Sequence, residues 1–514
     1  MKKPLIIGLS ASLRNARSSR SSRNLSDEIA ELENREQLDA YLSDQANIHL
    51  DQFKRAGRDD GKPFDELYRN LKREGGTRGL SNSEIALAAA LWAAQQNGVD
   101  ISHIPLPDHF PASGVPQNLD QLKAQLRKAD GILLSTPVYF GDRGSLAQQF
   151  VEMIYQDPEL KADLEGKLYA GIAVGAKRNG GQETTLIYAL MDMLRLGFLG
   201  VGNDSDTTSQ YGGTGHAGDI GTMPKDTYGL ETSMGTGRRI ANVALRLAAA
   251  DSVELDDKVR LDFWPLQDRK GEARLLAAEL VKGTQNKAQS RFVDLLKHAI
   301  RPCIACDICP THIGPDEEYR CIIRSRNDGL VEEHSNLIWG DVLIPTVLSP
   351  RSWESMDSVY QQFMERTRYL RRGDYVFTDR LVAPFIVAEV GESENMNIRL
   401  VTSFVRHHTV LSRPIVAYMH NGELLNKDEV EAEMDRAVKL GTRLAAGRLV
   451  SASLDLASTQ YRPVGYVLAT AKDKEKKAFA AREDAVYNRL TKQNAEASVR
   501  LKSLGNPRAI KGVG

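Results

Sequence analysis

Cysteine is scarce in this chain and confined to one window. The 514 residues contain four cysteines, and all four lie between positions 303 and 321. A chain of this length with so few cysteines is not a secreted scaffold built on disulfides. No apolar run reaches the roughly 18 residues of a membrane-spanning helix, and the first residues lack the apolar stretch of a signal peptide. We therefore expect a cytoplasmic protein with no membrane partner.

A strong charge of one sign is also absent. The chain has 67 basic and 68 acidic side chains, which give a formal net charge of −1. This balance argues against a nucleic-acid partner bound through bulk charge. With 41% hydrophobic and 26% charged residues, the composition is typical of globular proteins. The length exceeds one ordinary hydrophobic core, so we expect more than one domain.

Strand patterns alternate with helix patterns along most of the chain. The first apolar run is Leu5 to Leu9, and a long helical pattern covers Glu84 to Gln96. The alternation starts again near residue 256, and both halves carry the same motif, as Gln148-Gln149-Phe150 and as Gln361-Gln362-Phe363. Such alternation predicts parallel sheets covered by helices on both faces. We predict an α/β chain with two doubly wound parallel sheets in tandem, the product of an internal duplication.

The predicted domain boundaries follow this repeat. The first domain spans residues 1–255 and is interrupted by a charged, helical insertion over residues 15–80. The second domain spans residues 256–450, with Leu381 to Val390 as one of its strands. Residues 451–514 form a charged, mainly helical tail. The charge patterns of the insertion and the tail favour solvated faces or packing segments over active sites.

Polar or aromatic loops follow three strands of the first domain. Ligands of open parallel sheets bind at the carboxyl ends of the strands. After the first strand, Ser10, Ser12 and Arg14 suit an anion, although an ordinary turn is an equal alternative for this loop alone. After the third, two aromatic residues within Pro137–Gly141 suit a planar ring. After the fourth, the flexible polar loop Gly175–Thr185 could close on the same ring.

The segments GLSASLR, STPVYFG and AVGAKRNGGQETT resemble the three flavin loops of the NADPH-dependent FMN reductase family, and in particular its iron–sulfur flavoprotein branch. The resemblance implies flavodoxin-like sheets, FMN as cofactor and NAD(P)H as co-substrate. The insertion separates the first of these motifs from the helix that it should precede. The implied FMN-binding residues are Ser10, Ser12, Leu13, Arg14, Ser81, Asn82, Ser83, Pro137, Val138, Tyr139, Phe140, Gly141, Gly180, Gly181, Gln182, Glu183 and Thr184.

The cysteine window predicts a metal site. Cys303, Cys306 and Cys309 form a C-x2-C-x2-C motif, and Cys321 follows as a fourth thiol. This close triple suits a [4Fe–4S] cluster, whereas structural zinc, the alternative, prefers two separated pairs. The stretch from Phe292 to Pro310 resembles the strand-to-cluster segment of iron–sulfur flavoproteins, although the gap before Cys321 is longer than is usual there.

The two halves are complementary in what they lack. The first half has no cysteine, and the first loop of the second half carries Asp268, whose charge would repel a phosphate. We therefore predict FMN in the first domain and the cluster in the second. The chain would be an NAD(P)H-dependent oxidoreductase that passes electrons between NAD(P)H or a redox protein and an acceptor. The alternatives are a non-catalytic electron-transfer or assembly subunit and a zinc-stabilised scaffold with degenerate flavodoxin-like domains.

No general acid or base stands out in the sequence. His216, in the glycine-rich loop Tyr211–Gly221, is the histidine placed to reach a flavin, and a solvent-exposed loop histidine is the alternative. Two further expectations concern partners. A ferredoxin-like redox protein would dock as electron donor or acceptor, and the two similar lobes would support a homo-oligomer.

Overall fold

The computed structural model divides the chain into two compact units, Met1–Leu245 (unit 1) and Arg246–Gly514 (unit 2). Within them it describes residues 3–13, 25–73, 79–204, 209–252, 255, 257–268, 271–306, 321–323, 327–352, 358–371, 375–392 and 395–453. Arg14, Cys309 and the predicted tail from residue 454 lie outside the described residues. No helix in the described part of the chain is both long and apolar enough to cross a membrane.

Unit 1 alternates strands with helices. Its strands are β1 (Leu5–Ser10), β2 (Asp100–Pro105), β3 (Gly131–Tyr139), β4 (Asp142–Arg143), β5 (Leu168–Gly175), β6 (Leu199–Gly200) and β7 (Gly213–His216). Its helices are α1 (Leu25–Ala30), α2 (Arg35–Arg55), α3 (Phe64–Arg73), α4 (Asn82–Gln96), α5 (Leu119–Lys128), α6 (Ser145–Tyr155), α7 (Pro158–Asp163), α8 (Gln182–Arg195) and α9 (Thr227–Ala250). The boundary between the two units falls inside α9.

The sheet of unit 1 has the strand order β2-β1-β3-β5, and both β6 and β7 pair with the outer edge of β5. These pairs are parallel, and only the short β4 is antiparallel to its neighbour β3. The order is that of flavodoxin-like folds, in which the winding direction reverses between the first and third strands. β1, β3 and β5 are nearly continuous apolar runs because helices cover both faces of the sheet.

The insertion packs against the rest of unit 1 through α1 and α2. Leu38, Leu42 and Ala46 of α2 are buried, as is Ile29 of α1. The indole nitrogen of Trp92 in α4 donates to the carbonyl of Leu32 at 2.9 Å. The charged residues of α2 therefore form the outer face of a helix whose inner face extends the core.

Unit 2 is also built from mainly parallel strands and from helices. Its strands are β8 (Val259–Gln267), β9 (Ala288–Phe292), β10 (Val342–Ser349), β11 (Leu381–Val382), β12 (Phe385–Glu389), β13 (Val410–Leu411), β14 (Ile415–His420) and β15 (Glu423–Leu424). Its helices are α10 (Glu272–Thr284), α11 (Gly329–Glu332), α12 (His334–Leu337), α13 (Val359–Arg366), α14 (Arg368–Arg371), α15 (Met396–Phe404) and α16 (Lys427–Ser453).

The parallel strands of unit 2 follow the same order as those of unit 1. β9 pairs with β8, and β8 pairs with β10. β10 then pairs with β11 and β12, which pair in turn with β13 and β14. A flavodoxin-like α/β architecture is thus confirmed, while a tandem duplication as its origin stays a prediction.

Two predicted elements differ from the structure. The single strand predicted over Leu381–Val390 is broken between β11 and β12 at Pro384, because proline has no N–H to donate to the ladder. The predicted glycine-rich loop Tyr211–Gly221 contains β7, which pairs with β5 from Gly213 to His216. Glycine is unfavourable in an isolated strand, and tertiary pairing with a buried neighbour overrides that preference.

Candidate functional site

The predicted FMN residues within the described chain lie at the carboxyl ends of three strands of unit 1 and at the first turns of two helices. Ser10 ends β1, and Ser12 and Leu13 follow it. Ser81, Asn82 and Ser83 begin α4; Pro137, Val138 and Tyr139 end β3, and Phe140 and Gly141 follow; Gly180 and Gly181 precede α8, and Gln182, Glu183 and Thr184 begin it.

The start of α4 has a capping box that leaves N–H groups open to an acceptor. Ser81 caps the helix by accepting the N–H of Glu84 at 3.4 Å, and the Glu84 carboxylate accepts the N–H of Ser81 at 2.9 Å. This reciprocal cap leaves the N–H groups of Asn82 and Ser83, the first two helical residues, without an intrahelical acceptor. Together with the helix dipole, such amides favour an anion by about 0.3–1 kcal/mol.

Hydrogen bonds hold this terminus against the ends of β1 and β3. The N–H of Ala11 donates to the carbonyl of Ser135 at 2.9 Å. The Ser135 hydroxyl donates to the carbonyl of Ser83 at 2.8 Å. The structure therefore brings the first loop and the first turn of α4 together, although the insertion separates them in the chain.

His103 is a residue at this site that the sequence analysis missed. Its Nε2 lies 3.0 Å from the hydroxyl of Ser10, and both side chains are buried. His103 lies inside β2 and belongs to no recognisable motif. The parallel register of β1 and β2 places it there, pairing Gly8 with His103, and the sequence gives no signal for that register.

The loop after β3 presents aromatic side chains to solvent. Phe140 is fully exposed and Tyr139 is more than half exposed. Phe140 and Gly141 both adopt left-handed φ angles, +52° and +80°, in the turn between β3 and β4. A Cβ added to Gly181 would lie 2.7 Å from the Cα of Gly141, so the loops after β3 and β5 are in contact. This is an uncovered aromatic and glycine wall of the kind that a planar ring can cover.

Gln182 holds the loop after β5 in place. Its amide nitrogen donates to the carbonyls of Lys177 at 2.7 Å and Gly215 at 3.1 Å, and its amide oxygen accepts the N–H of Gly180 at 2.8 Å. The side chain is buried and its polar atoms are engaged within the protein. Gln182 therefore positions the loop, while the neighbouring Glu183 and Thr184 are exposed beside it.

A second set of contacts fixes the same loop to the start of α9. Arg178 pairs with Asp226 and donates to the carbonyl of Thr214 at 3.0 Å. Asp226 also accepts the N–H of His216 at 2.6 Å. His216 was predicted to lie in a glycine-rich loop, but the structure places it at the end of β7, where its backbone N–H is bonded to Asp226.

The insertion reaches the edge of this site. Arg58 forms an ion pair with Asp219 at 2.5 Å, and this hydrogen bond raises the pKa of the guanidinium above its ordinary value. The side-chain amide of Asn82 donates to the carbonyl of Asp219 at 2.9 Å and accepts the N–H of Met223 at 3.3 Å. Asn82 thus joins the predicted anion site to a loop that the insertion restrains.

In unit 2, Cys303, Cys306 and Cys321 line one pocket. All three are half-buried and none forms a disulfide. The N–H of Ala305 donates to the sulfur of Cys303 at 3.4 Å. No three histidine, cysteine, aspartate or glutamate side chains among the described residues stand in a metal-binding arrangement, and Cys309 lies outside those residues. Three of the four predicted ligands therefore line one pocket, but their described positions do not form a metal-binding arrangement.

Comparison with known proteins agrees with the flavodoxin-like geometry. Residues 74–205 match the model of the NADPH-dependent FMN reductase family. The chain is 33% identical over 183 residues to an iron–sulfur flavoprotein of Methanocaldococcus jannaschii, covering 33% of this chain and 93% of that protein.

Two further relatives show similar coverage. An iron–sulfur flavoprotein of Methanosarcina thermophila is 26% identical over 185 residues, 33% of this chain and 91% of that protein. An NAD(P)H dehydrogenase (quinone) of Solidesulfovibrio magneticus is 31% identical over 136 residues, 24% of this chain and 66% of that protein. The chain belongs to the NADPH-dependent FMN reductase and iron–sulfur flavoprotein family of NAD(P)H-dependent oxidoreductases.

Proposed function

We propose that the protein is an oxidoreductase that binds one FMN in unit 1 and one [4Fe–4S] cluster in unit 2. The observation that carries the proposal is the meeting of three loops at the carboxyl edge of the first sheet. There the open N–H groups of α4 lie beside the end of β1, and the exposed Phe140 lies beside Gly181. The part of this sheet edge beside α4 suits a phosphate, and the part beside Phe140 suits a flat ring.

The chain's own residues would hold FMN in two ways. The N–H groups of Asn82 and Ser83 would bind the phosphate, with Ser10 and Ser12 as hydroxyl donors. Tyr139 and Phe140 would cover the ring, and Gly181 lets the loop after β5 approach it closely. Arg14, which follows Leu13 in the sequence, would add a charge-assisted contact. These residues bind and orient the cofactor, and Gln182 and Asp226 hold the loop around it.

In the described part of unit 2, the helix start that corresponds to that of α4 is already bonded to a carboxylate. The carboxylate of Asp268, just after β8, accepts the N–H groups of Ala273 at 3.1 Å and Arg274 at 2.7 Å in the first turn of α10. A buried negative charge of the protein itself therefore occupies the helix terminus that corresponds to that of α4. This supports a single FMN per chain.

The donor set of the cysteine pocket fits an anionic iron–sulfur group. Three thiols share the pocket with the apolar Ile304, and with the guanidinium of Arg366, whose Nε is buried and has no hydrogen-bond partner among the described residues. Cys309 would supply a further thiolate. Hydrogen bonds to cluster sulfurs, such as that from Ala305, are typical of such sites. Zinc remains the competing occupant because four thiolates can also hold it.

When bound, FMN accepts two electrons as hydride and releases them singly, and the cluster carries one electron at a time. This supports electron transfer between NAD(P)H and a one-electron acceptor, for which a ferredoxin-like protein in the cytoplasm is the proposed partner. The role of the protein is to position both groups and tune them.

A count of bound groups in anaerobically purified protein tests this proposal. We expect one FMN per chain, with iron and acid-labile sulfide in about equal amounts, roughly four of each. Zinc in place of iron would overturn the cluster, and two flavins per chain would overturn the division between the units. NADPH oxidation with a dye acceptor then separates an enzyme from an electron-transfer subunit, whose flavin only a protein donor would reduce.

A further inference from the structure

A buried ion pair stands directly behind the cysteine pocket. The side chains of Arg366, the last residue of α13, and Asp328 are both fully buried. Arg366 Nη1 lies 2.9 Å from the Asp328 carboxylate, and Nη2 lies 3.3 Å from it. Removing one partner of such a pair strongly destabilises a protein, because a buried charge is left without its counter-charge.

This pair fixes the backbone that leads into the cysteines. Arg366 Nη1 also donates to the carbonyl of Arg301 at 2.9 Å. The Asp328 carboxylate accepts the N–H of Arg301 at 3.0 Å and the N–H of Leu330 at 3.1 Å. Both backbone groups of Arg301, two residues before Cys303, are therefore held by one buried ion pair.

One nitrogen atom of the Arg366 guanidinium has no hydrogen-bond partner among the described residues. The guanidinium has five N–H groups, and its Nε is buried with no hydrogen-bond partner among the described residues. Arg366 also lines the pocket that contains Cys303, Cys306 and Cys321. An unsatisfied buried donor is costly, and an anionic sulfur group in this pocket would be an acceptor for it.

We propose that Arg366 is the positioning residue of the cysteine pocket, holding the Cys303 segment through Asp328 and donating its Nε–H to the group that the thiolates bind. The inference rests on the proposed iron–sulfur occupant. Reduction adds one electron and makes the pocket one charge more negative, so a donor at this place stabilises the reduced form. Arg366 thereby raises the reduction potential of the site.

The test is a midpoint-potential titration of the anaerobically purified full-length protein, followed by electron paramagnetic resonance. In the Arg366→Lys variant the charge beside Asp328 remains, but the Nε–H for which we propose an acceptor in the pocket is lost. We expect the equilibrium to shift about tenfold towards the oxidised form, a potential lower by about 59 mV for one electron. Arg291→Lys is the matched control, because Arg291 forms an ion pair with the buried Asp262 but does not line the pocket, and the potential of that variant should be unchanged.

A second variant tests the inference in case the Arg366→Lys substitution destabilises the ion pair with Asp328. The Asp328→Asn, Arg366→Gln double variant replaces the ion pair with two amides and leaves no lone buried charge. Loss of iron with unchanged flavin content and circular dichroism supports the positioning role. Unchanged iron content together with an unchanged potential in both variants overturns it. Absence of iron and sulfide from the unmodified protein overturns the cluster proposal itself, and the inference with it.

Discussion

Two glycines meet at the flavin side of the proposed site, and at Gly181 the backbone leaves room for no other residue. Its φ is +102°, and an added Cβ would lie 2.7 Å from the Cα of Gly141. A left-handed backbone alone costs a non-glycine residue about 1–2 kcal/mol. The close approach adds a clash with backbone, which cannot move aside as a flexible side chain would.

We predict that Gly181→Ala weakens FMN binding at least tenfold, because the loops after β3 and β5 are forced apart. Titration of the apoprotein with FMN, followed by quenching of flavin fluorescence, measures the effect. Gly98→Ala is the matched control: its φ is +94°, but nothing lies within 4 Å of the added Cβ. It should lower the free energy of unfolding and leave FMN affinity unchanged. Equal loss of affinity in both variants would contradict the prediction.

His407 makes the stability of unit 2 depend on pH. Burial, together with the neighbouring Arg371 and Arg406, lowers the pKa of His407 to about 3 from an ordinary value of 6.5. Between these values the unfolded chain binds a proton that the folded chain does not. The free energy of unfolding therefore falls as pH falls below 6.5, by at most about 1.4 kcal/mol per pH unit from this group.

We predict that His407→Phe removes this contribution, since phenylalanine keeps an aromatic ring against Phe377 and Phe404 and has no proton to bind. Urea unfolding of both proteins at pH 8, 6 and 5 measures it. The difference in unfolding free energy between variant and unmodified protein should move in favour of the variant as pH falls. A difference that stays constant would show that His407 binds a proton in the folded state.

At the scale of elements, the N-termini of the corresponding helices α4 and α10 are capped in different ways. α4 has a serine–glutamate cap that leaves two amides open, whereas the first turn of α10 donates two N–H groups to the carboxylate of Asp268. The first turn of the helix therefore has open N–H groups in unit 1, whereas in unit 2 Asp268 accepts two of them.

We predict that Asp268→Ala lowers the free energy of unfolding by about 0.5–2 kcal/mol, the usual cost of losing a helix cap. The FMN content should stay at one per chain, because among the described residues Pro350 and Arg351 follow β10, whereas Phe140 and Gly141 follow β3. Thermal unfolding and a flavin count test both parts. A change in flavin content would show that unit 2 takes part in binding FMN.

Helix positions were largely predictable from the sequence, while strand ends were not. The Ser81-Asn82-Ser83 start signal and the apolar run after it marked α4, and the structure begins the helix at Asn82. β7 escaped prediction because Gly213 and Gly215 are poor strand formers. Its pairing with β5 depends on a buried neighbour that is distant in the chain.

For the molecule as a whole, the two proposed sites lie in separate units. A substitution in one site should therefore leave the group bound at the other site unaffected. We predict that Cys303→Ser abolishes bound iron and leaves FMN content and reduction of the flavin by NADPH unchanged. Phe140→Ala should weaken FMN binding and leave the iron content unchanged. Iron and flavin analyses of the two variants measure this. Joint loss of both groups in either variant would contradict separate sites.

What the sequence by itself determined is the local chemistry: the serines after β1, the aromatic and glycine loops after β3 and β5, and the clustered cysteines. These are readable because each lies within a few consecutive residues at a strand end. Only the tertiary structure decided that His103 meets Ser10, that Arg58 reaches Asp219, and that Asp328 and Arg366 hold the segment before Cys303. Such contacts depend on strand register and helix packing, which join residues far apart in the chain and leave no local pattern.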